Sequence, residues 1–147
     1  MTPKQHTIAS AVTTAVFASF SHSWIANTAC FLSGILIDVD HVLDYMLYKK
    51  SFPWKYRSLT EFCDSKKQGR LYLIFHSYEL LLLFIGLGAL LGFPLLWLGV
   101  FVGVSVHLIL DEIYNPLRPL AYFFIFRLKH DFKREYLFTP EYYKKLS

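Results

Sequence analysis

The sequence predicts an all-α integral membrane protein, a four-helix bundle with an interfacial helical tail at its C-terminal end. Of its 147 residues 54% are hydrophobic, and the mean hydropathy is +0.36. That is too apolar for an ordinary soluble domain of this size. The apolar residues fall in four long runs, and polar segments separate or connect these runs. Imidazoles and carboxylates interrupt the ends of the runs, where ionisable groups are costly unless they pair or bind a metal.

Net charge and cysteine content exclude some classes of partner and of covalent cross-link. The formal net charge is +4 and the isoelectric point is about 9.0, but the basic residues lie between the apolar runs. A membrane surface therefore explains them better than a nucleic acid does, and we expect no nucleic-acid partner. Cys30 and Cys63 form neither a CxxC motif nor a disulfide framework. No linker divides the chain, and we assign residues 1–116, with a basic interfacial loop at 49–70, to the bundle and 117–147 to the tail.

The first two apolar runs predict a helical hairpin. The run 7–20 has no convincing A-x-A site after it, so we interpret it as a retained first helix and not as a signal peptide. Ser21-His22-Ser23 makes the connection. The next run starts at residue 24, and an i, i+3, i+4 pattern of apolar residues continues to 48, which predicts one uninterrupted helix.

The last two runs predict a second hairpin. Residues 71–91 form the third predicted helix, Gly92-Phe93-Pro94 the turn, and 95–110 the core of the fourth, which Asn115-Pro116 stops. After Pro119 the apolar segment 121–126 is too short to cross a bilayer and is predicted to lie at the interface.

Histidines and carboxylates share helix faces at the same end of each predicted helix. Asp38 and His41, and likewise His76 and Glu79, are three residues apart, while His107 and Asp111 are four apart. Short turns impose an up-down-up-down order, so these groups and His6 are predicted to meet on one side of the membrane. The candidate metal ligands are His6, Asp38, Asp40, His41, His76, His107 and Asp111.

The ligand types indicate the metal. Imidazole and carboxylate without sulfur suit zinc first, with manganese or iron as alternatives, and the number of groups allows one or two ions. Glu79 is the candidate general base. Asp40 is a second candidate catalytic group, or an acid that bridges ions or supports a ligand. Asp44 and Glu112 are expected to lie toward water.

Structural alternatives stay open for the same residues. His76 with Glu79, and His107 with Asp111, are also what a packed hydrogen-bonded pair would require. Asp38, Asp40 and His41 are also compatible with a solvated helix end, and His6 with simple exposure near the N-terminus.

Basic residues predict the orientation. They concentrate in the N-terminal lead, in loop 49–70 and in the tail, while the turns at 21–23 and 92–94 carry no Lys or Arg. The positive-inside rule then places both termini and the metal site on the cytoplasmic side of a multi-pass protein of the cell (inner) membrane.

The motifs resemble those of the predicted membrane-bound metal-dependent hydrolases. The matching residues are His6, Asp38-Val39-Asp40-His41, His76-Ser77 and His107-Leu108-Ile109-Leu110-Asp111, which cover roughly residues 1–116. The chain has Ile37 where the family usually has proline, and Leu73-Ile74-Phe75 before the His-Ser pair. The resemblance implies a distant similarity to zinc-dependent phospholipase C, an all-helical enzyme with His and Asp ligands.

The sequence therefore predicts a metal-dependent hydrolase that acts on an ester or phosphoester of a membrane lipid or lipid-linked substrate, at cytoplasmic headgroup level. The alternative is a non-enzymatic metal-binding membrane protein, or an accessory subunit of a membrane complex. The outer halves of the helices are apolar, which disfavours transport. The sequence leaves the oligomeric state open.

Overall fold

The computed structural model describes residues 2–65 and 69–144. The helices are α1 (Pro3–Ser21), α2 (Trp24–Leu36), α3 (Val39–Lys49), α4 (Tyr56–Ser65), α5 (Tyr78–Leu90), α6 (Leu95–Tyr114), a 3-10 helix (Pro119–Tyr122), α7 (Phe124–Lys129), α8 (Arg134–Leu137) and α9 (Pro140–Lys144). Within the described ranges the only β-pairing consists of isolated bridges. The all-α class is confirmed.

The chain divides into two compact units, each built from two stretches of sequence. The first unit is Met1–Ile37 with Tyr78–Asn115, and the second is Asp38–Ser77 with Pro116–Ser147. Residues 38–77 belong to the same compact unit as the tail. The assignment of domains to residues 1–116 and 117–147 stays a prediction.

Close packing of α2 against α6 organises the first unit, in which α1 packs on both helices and α5 packs on α6. A side chain at Gly99 would collide with the Ala26 carbonyl, and one at Gly103 with the Cys30 carbonyl. The Ser33 hydroxyl donates to the Val100 carbonyl at 3.2 Å. Small residues that let two backbones touch are typical of helix pairs in membranes.

Replacing Gly103 by alanine should therefore destabilise the protein by about 1–3 kcal/mol, because the added methyl group meets a backbone carbonyl that cannot move aside. Gly86 in α5 is the matched control, since a side chain there meets no atom within 4 Å outside its own helix. Gly86→Ala should be neutral or stabilising by up to about 1 kcal/mol through helix propensity. Thermal unfolding in detergent measures both variants, and equal melting temperatures would contradict the packing argument.

Helix α1 buries several polar residues on one side and exposes large apolar residues on the other. Its buried residues are His6, Ser10, Phe17 and Ser21. The exposed side carries Ile8, Val12, Val16 and Phe20, which are 56–61% exposed. In water the free energy of burial would favour the opposite arrangement, so the outer face suits an apolar environment.

Helix length and composition bear on whether the protein crosses a membrane. Among the described residues, α6 alone is long and apolar enough to cross a bilayer, with 20 residues and a mean hydropathy of 1.7. Core helices of soluble proteins pass the same test, so one such helix does not establish a multi-pass protein. The predicted integral four-helix membrane bundle is not established by this criterion.

The tail supplies much of the buried core of the second unit. Leu71 and Leu73 pack with Ala121, Leu137 and Phe138. Backbone bonds join these segments, from Leu71 N to the Phe132 carbonyl at 2.9 Å and from Arg134 N to the Gly69 carbonyl at 3.2 Å. The outer side of the tail remains apolar at Leu120, Ile125 and Leu128, which are 56–57% exposed.

The structure corrects the predicted helix over 24–48. It is interrupted at Ile37 and Asp38, so that α2 ends at Leu36 and α3 starts at Val39. Asp38 stands at the N-cap position of α3 without a side-chain hydrogen bond to the helix, and its carboxylate lies near His41 and His76 instead. Aspartate has a low helix propensity and is favoured at helix starts.

The predicted helix over 71–91 is also too long, because α5 starts only at Tyr78. The Asp44 carboxylate accepts the Tyr72 N–H at 3.2 Å, and the Asp40 carboxylate accepts the N–H groups of Phe75 and His76. These backbone donors are therefore not available for the i→i−4 bonds of a helix.

The predicted loop 49–70 is also wrong in part, since it contains the amphipathic helix α4.

Asp44, which the sequence predicted to face water, is 4% exposed. The pKa of Asp44 is raised to about 6, mainly because the carboxyl group is buried and also because Asp40 lies nearby. The Tyr72 N–H and the guanidinium of Arg127 oppose that rise, and Asp44 also faces the buried guanidinium of Arg134. The folded state thus holds this proton more tightly than the unfolded chain, in which the pKa is near 3.8.

The free energy of unfolding should therefore fall as the pH rises from about 4 to about 6, because the folded state gives up the favoured proton over that range. At about 1.4 kcal/mol per pKa unit, a rise from 3.8 to about 6 corresponds to about 3 kcal/mol. Asp44→Asn should flatten this part of the stability curve, whereas Glu61→Gln, on the exposed side of α4, should not. Thermal unfolding across pH with chelator present measures it, and an unchanged curve for Asp44→Asn would refute the assignment.

Candidate metal-binding sites

In the first unit, one face of α6 carries both the packing glycines and two candidate ligands. Gly99, Gly103, His107 and Asp111 recur every four residues, and this spacing places them along one side of a helix. The glycines bring α2 close. His107 and Asp111, both 3% exposed, follow on the next turns.

His6 from the start of α1 completes this group, which we call the His6 cluster (His6, His107 and Asp111). His6 Nε2 lies 3.1 Å from Asp111 Oδ1, and the His6 and His107 rings stack with centroids 3.9 Å apart. One potential ligand atom from each residue lies within 4.8 Å of the other two. The predicted meeting of His6 with the His107–Asp111 pair is therefore present in the structure.

A backbone carbonyl fixes the protonation pattern of His107. Its Nδ1 lies 2.7 Å from the Gly34 carbonyl oxygen, which can only accept, so Nδ1 carries a hydrogen. In the neutral ring Nε2 then presents its lone pair, 3.6 Å from Asp111 Oδ2. Two acceptors face each other across a gap longer than a hydrogen bond. A cation between them would satisfy both, as in metal sites where a carbonyl orients the ligating histidine.

The environment of His6 is a second indication that this cluster could bind a cation. Its side chain is 4% exposed, and Nδ1 is buried without a hydrogen-bond partner among the described residues. Either neutral tautomer then leaves a ring nitrogen unsatisfied, which costs about 1–3 kcal/mol. A small cavity lies beside it, lined in part by Ser10 and Thr13. The residues present thus fit a divalent cation.

In the second unit, Asp40 holds the turn that carries His76. Asp40 is 1% exposed, and its Oδ2 accepts the Phe75 N–H at 2.5 Å, the His76 N–H at 3.0 Å and lies 3.0 Å from His76 Nδ1. Asp40 Oδ1 is buried with no hydrogen-bond partner among the described residues. Because Oδ2 already serves three nitrogens, the geometry favours Asp40 as the group that orients His76, with Oδ1 left to bind an ion or a water.

His76 repeats the pattern of His107. With Nδ1 turned toward Asp40, its Nε2 lies 3.5 Å from Asp38 Oδ1, and His41 Nε2 lies 3.7 Å from the same oxygen. The two rings are 5.6 Å apart. Asp38 therefore stands beside two imidazoles. We call Asp38, Asp40, His41 and His76 the Asp40 cluster.

One predicted grouping and one predicted position need revision. His76 precedes α5, so it does not share a helix face with Glu79, which is half-buried in the first turn of α5. Glu112 was expected to lie toward water, and it is half-buried. It accepts a hydrogen bond from the Tyr78 hydroxyl, and this bond joins α5 to α6.

The functional group that sequence reasoning missed is the Gly34 carbonyl. A signal for it was present, because Ala26, Cys30 and Gly34 are spaced by four, as are Gly99 and Gly103. Matching small-residue patterns predict close contact of two helices, and close contact is what brings a backbone oxygen to His107.

The comparisons with known proteins identify no relative: no protein-family model, curated protein or solved structure matches the chain.

An alanine substitution in the His6 cluster tests whether these residues bind an ion. Purified His107→Ala should lose one equivalent of bound transition metal, because His6 and Asp111 alone leave two ligands. His22→Ala is the matched control, since His22 is exposed in the α1–α2 connection. Elemental analysis of protein purified without chelator measures the difference. Equal metal content in His107→Ala and wild type would exclude His107 as a ligand.

Proposed function

We propose that this protein is an integral membrane metal-dependent hydrolase that acts on an ester or phosphoester of a lipid or lipid-linked substrate. The observation that carries the proposal is the same in both clusters. In each, Nδ1 of a buried histidine contacts a protein oxygen at hydrogen-bond distance, and Nε2 faces a carboxylate oxygen 3.5–3.6 Å away. That arrangement is how proteins hold catalytic metals with histidine and carboxylate.

The proposed ligands are His6, His107 and Asp111 in one unit, and Asp38, His41 and His76 in the other. Zinc suits these nitrogen and oxygen donors best, while manganese or iron are alternatives. A divalent metal held here would supply Lewis acidity and activate water near neutral pH. Whether the protein binds one or two ions is decided by the metal content of wild type and of variants in each cluster.

The chain's own residues perform the remaining steps. Asp40 keeps His76 in one tautomer and orientation, and the Gly34 carbonyl does the same for His107. Glu79 is the proposed general base, whose carboxylate takes the proton from the attacking water. The burial of His6, His107 and Asp111 restricts bulk water around the ligands.

Two observations support the membrane placement. Helix α1 exposes large apolar side chains while it buries histidine and serine, and glycines let α2 and α6 contact each other through their backbones. We propose that α1, α2, α5 and α6 form the bundle within the bilayer. The positive-inside rule then favours the cytoplasmic side of the cell membrane for both termini and for the ligands. The same environment makes a lipid or lipid-linked molecule the most accessible substrate.

Activity and metal binding should separate in a Glu79 variant. Wild type, purified in detergent without chelator, should contain stoichiometric zinc or another transition metal and should hydrolyse at least one class of ester or phosphoester lipid. Glu79→Gln should keep the metal and lose about 100- to 10,000-fold in turnover, because a general base contributes on that scale. Glu61→Gln, on the exposed side of α4, is the control and should keep full activity.

Two results would overturn the proposal in different ways. Wild type without stoichiometric metal would remove the metal-dependent mechanism. Bound metal without turnover of any lipid class would favour the alternative, a non-enzymatic metal-binding membrane protein or an accessory subunit.

A further inference from the structure

The connection between α3 and α4 presents aromatic side chains to the outside in a fixed arrangement. Trp54 is 88% and Phe52 48% exposed, and their rings meet edge-on with centroids 5.0 Å apart. The Trp54 N–H donates to the Phe52 carbonyl at 3.0 Å, so the two residues are held in one local turn. Two contiguous exposed aromatic rings form an apolar patch, and such patches mark surfaces that contact a partner or a membrane.

The helices on both sides anchor this connection. Phe62 of α4 is 5% exposed and packs against Tyr45 and Tyr48 of α3, with ring centroids 5.1 and 5.5 Å apart. Lys50 ends α3 in a left-handed conformation with φ 53°. The segment 47–55, which we call the tip, therefore consists of the exposed last residues of α3 and the connection to α4.

Charge around the aromatic pair is of one sign. Lys49, Lys50 and Lys55 are exposed, and no acidic residue occurs from 45 to 60 in the sequence. Arg57 is the next basic residue, and it pairs with Glu61 at 2.7 Å. The lysines of the tip thus keep their positive field around Phe52 and Trp54.

We infer that the tip is an interfacial anchor that binds anionic lipid, with Phe52 and Trp54 inserted at headgroup level and the three lysines on the lipid phosphates. Tryptophan prefers the membrane–water interface, and each lysine near an anionic surface strengthens binding by up to about fivefold. A protein partner would have to supply an acidic, aromatic-binding surface. A bilayer with anionic headgroups supplies both requirements without a specific partner.

This inference rests on the membrane placement in the proposed function and names the lipid class that the protein contacts. The test uses the full chain in nanodiscs of phosphatidylcholine, with or without about one-third phosphatidylglycerol. The difference in emission between wild type and Trp54→Phe isolates Trp54 from Trp24 and Trp97. In anionic discs Trp54 should shift to the blue and be quenched by brominated lipid chains. About 0.5 M salt should weaken both effects.

A charge variant tests the role of the lysines. The triple variant Lys49→Gln, Lys50→Gln and Lys55→Gln should need a several-fold higher fraction of anionic lipid for the same quenching. The matched control makes the same change at Lys4, Lys129 and Lys133, which are also exposed, and should behave as wild type. If the tip variant keeps the wild-type response, or if both variants lose it equally, the inference is wrong.

The remaining outcomes separate this inference from the proposed function. Trp54 that stays open to aqueous iodide in both kinds of disc contradicts the anchor and leaves the hydrolase proposal standing. Failure of the protein to incorporate into discs contradicts the membrane placement itself. Metal content measured on the same samples reports on the metal site independently of the tip.

Discussion

The close approach of α2 and α6 is the constraint on which the His6 cluster depends. Gly99 and Gly103 have no side chain to separate the helices, so the Ala26 and Cys30 carbonyls reach the α6 backbone directly. One turn further on, the same proximity brings the Gly34 carbonyl to His107 Nδ1 at 2.7 Å. Packing thereby sets the tautomer of a buried histidine, which leaves the lone pair on Nε2, the nitrogen that faces Asp111. The contact of α2 with α6 and the protonation pattern of His107 therefore have the same cause.

In the second unit a single carboxylate has two roles. Asp40 Oδ2 binds the backbone of Phe75 and His76 and also orients the His76 ring. The segment before α5 is consequently held in a non-helical conformation, and this conformation points Nε2 of His76 toward Asp38. Asp44, one turn along α3, holds the Tyr72 N–H in the same manner. The acids of α3 therefore build the segment as well as the proposed site.

The surroundings of the first unit are consistent with an apolar solvent. α1 buries serine and histidine while it exposes isoleucine, valine and phenylalanine, an arrangement that hydration would penalise. A buried polar group is costly wherever it lies, and it is tolerated when it binds a partner. Protein groups supply part of that partnership, since His6 Nε2 lies 3.1 Å from Asp111 Oδ1 and His107 Nδ1 lies 2.7 Å from the Gly34 carbonyl oxygen. A metal ion is the further partner that we propose for these residues.

The sequence by itself determined the all-α class, the turns at 21–23 and 92–94, the helix stop at Asn115-Pro116 and the residues that form the two clusters. These features follow from local periodicity, turn chemistry and residue type, which neighbouring positions carry. Only the tertiary structure decided the break at Ile37–Asp38, the late start of α5, the burial of Asp44 and the distinction between Asp40, which orients, and His76, which faces Asp38. The late start of α5, the burial of Asp44 and the role of Asp40 depend on carboxylates that bind backbone N–H groups roughly 30 residues away, and helical periodicity contains no information about such long-range bonds.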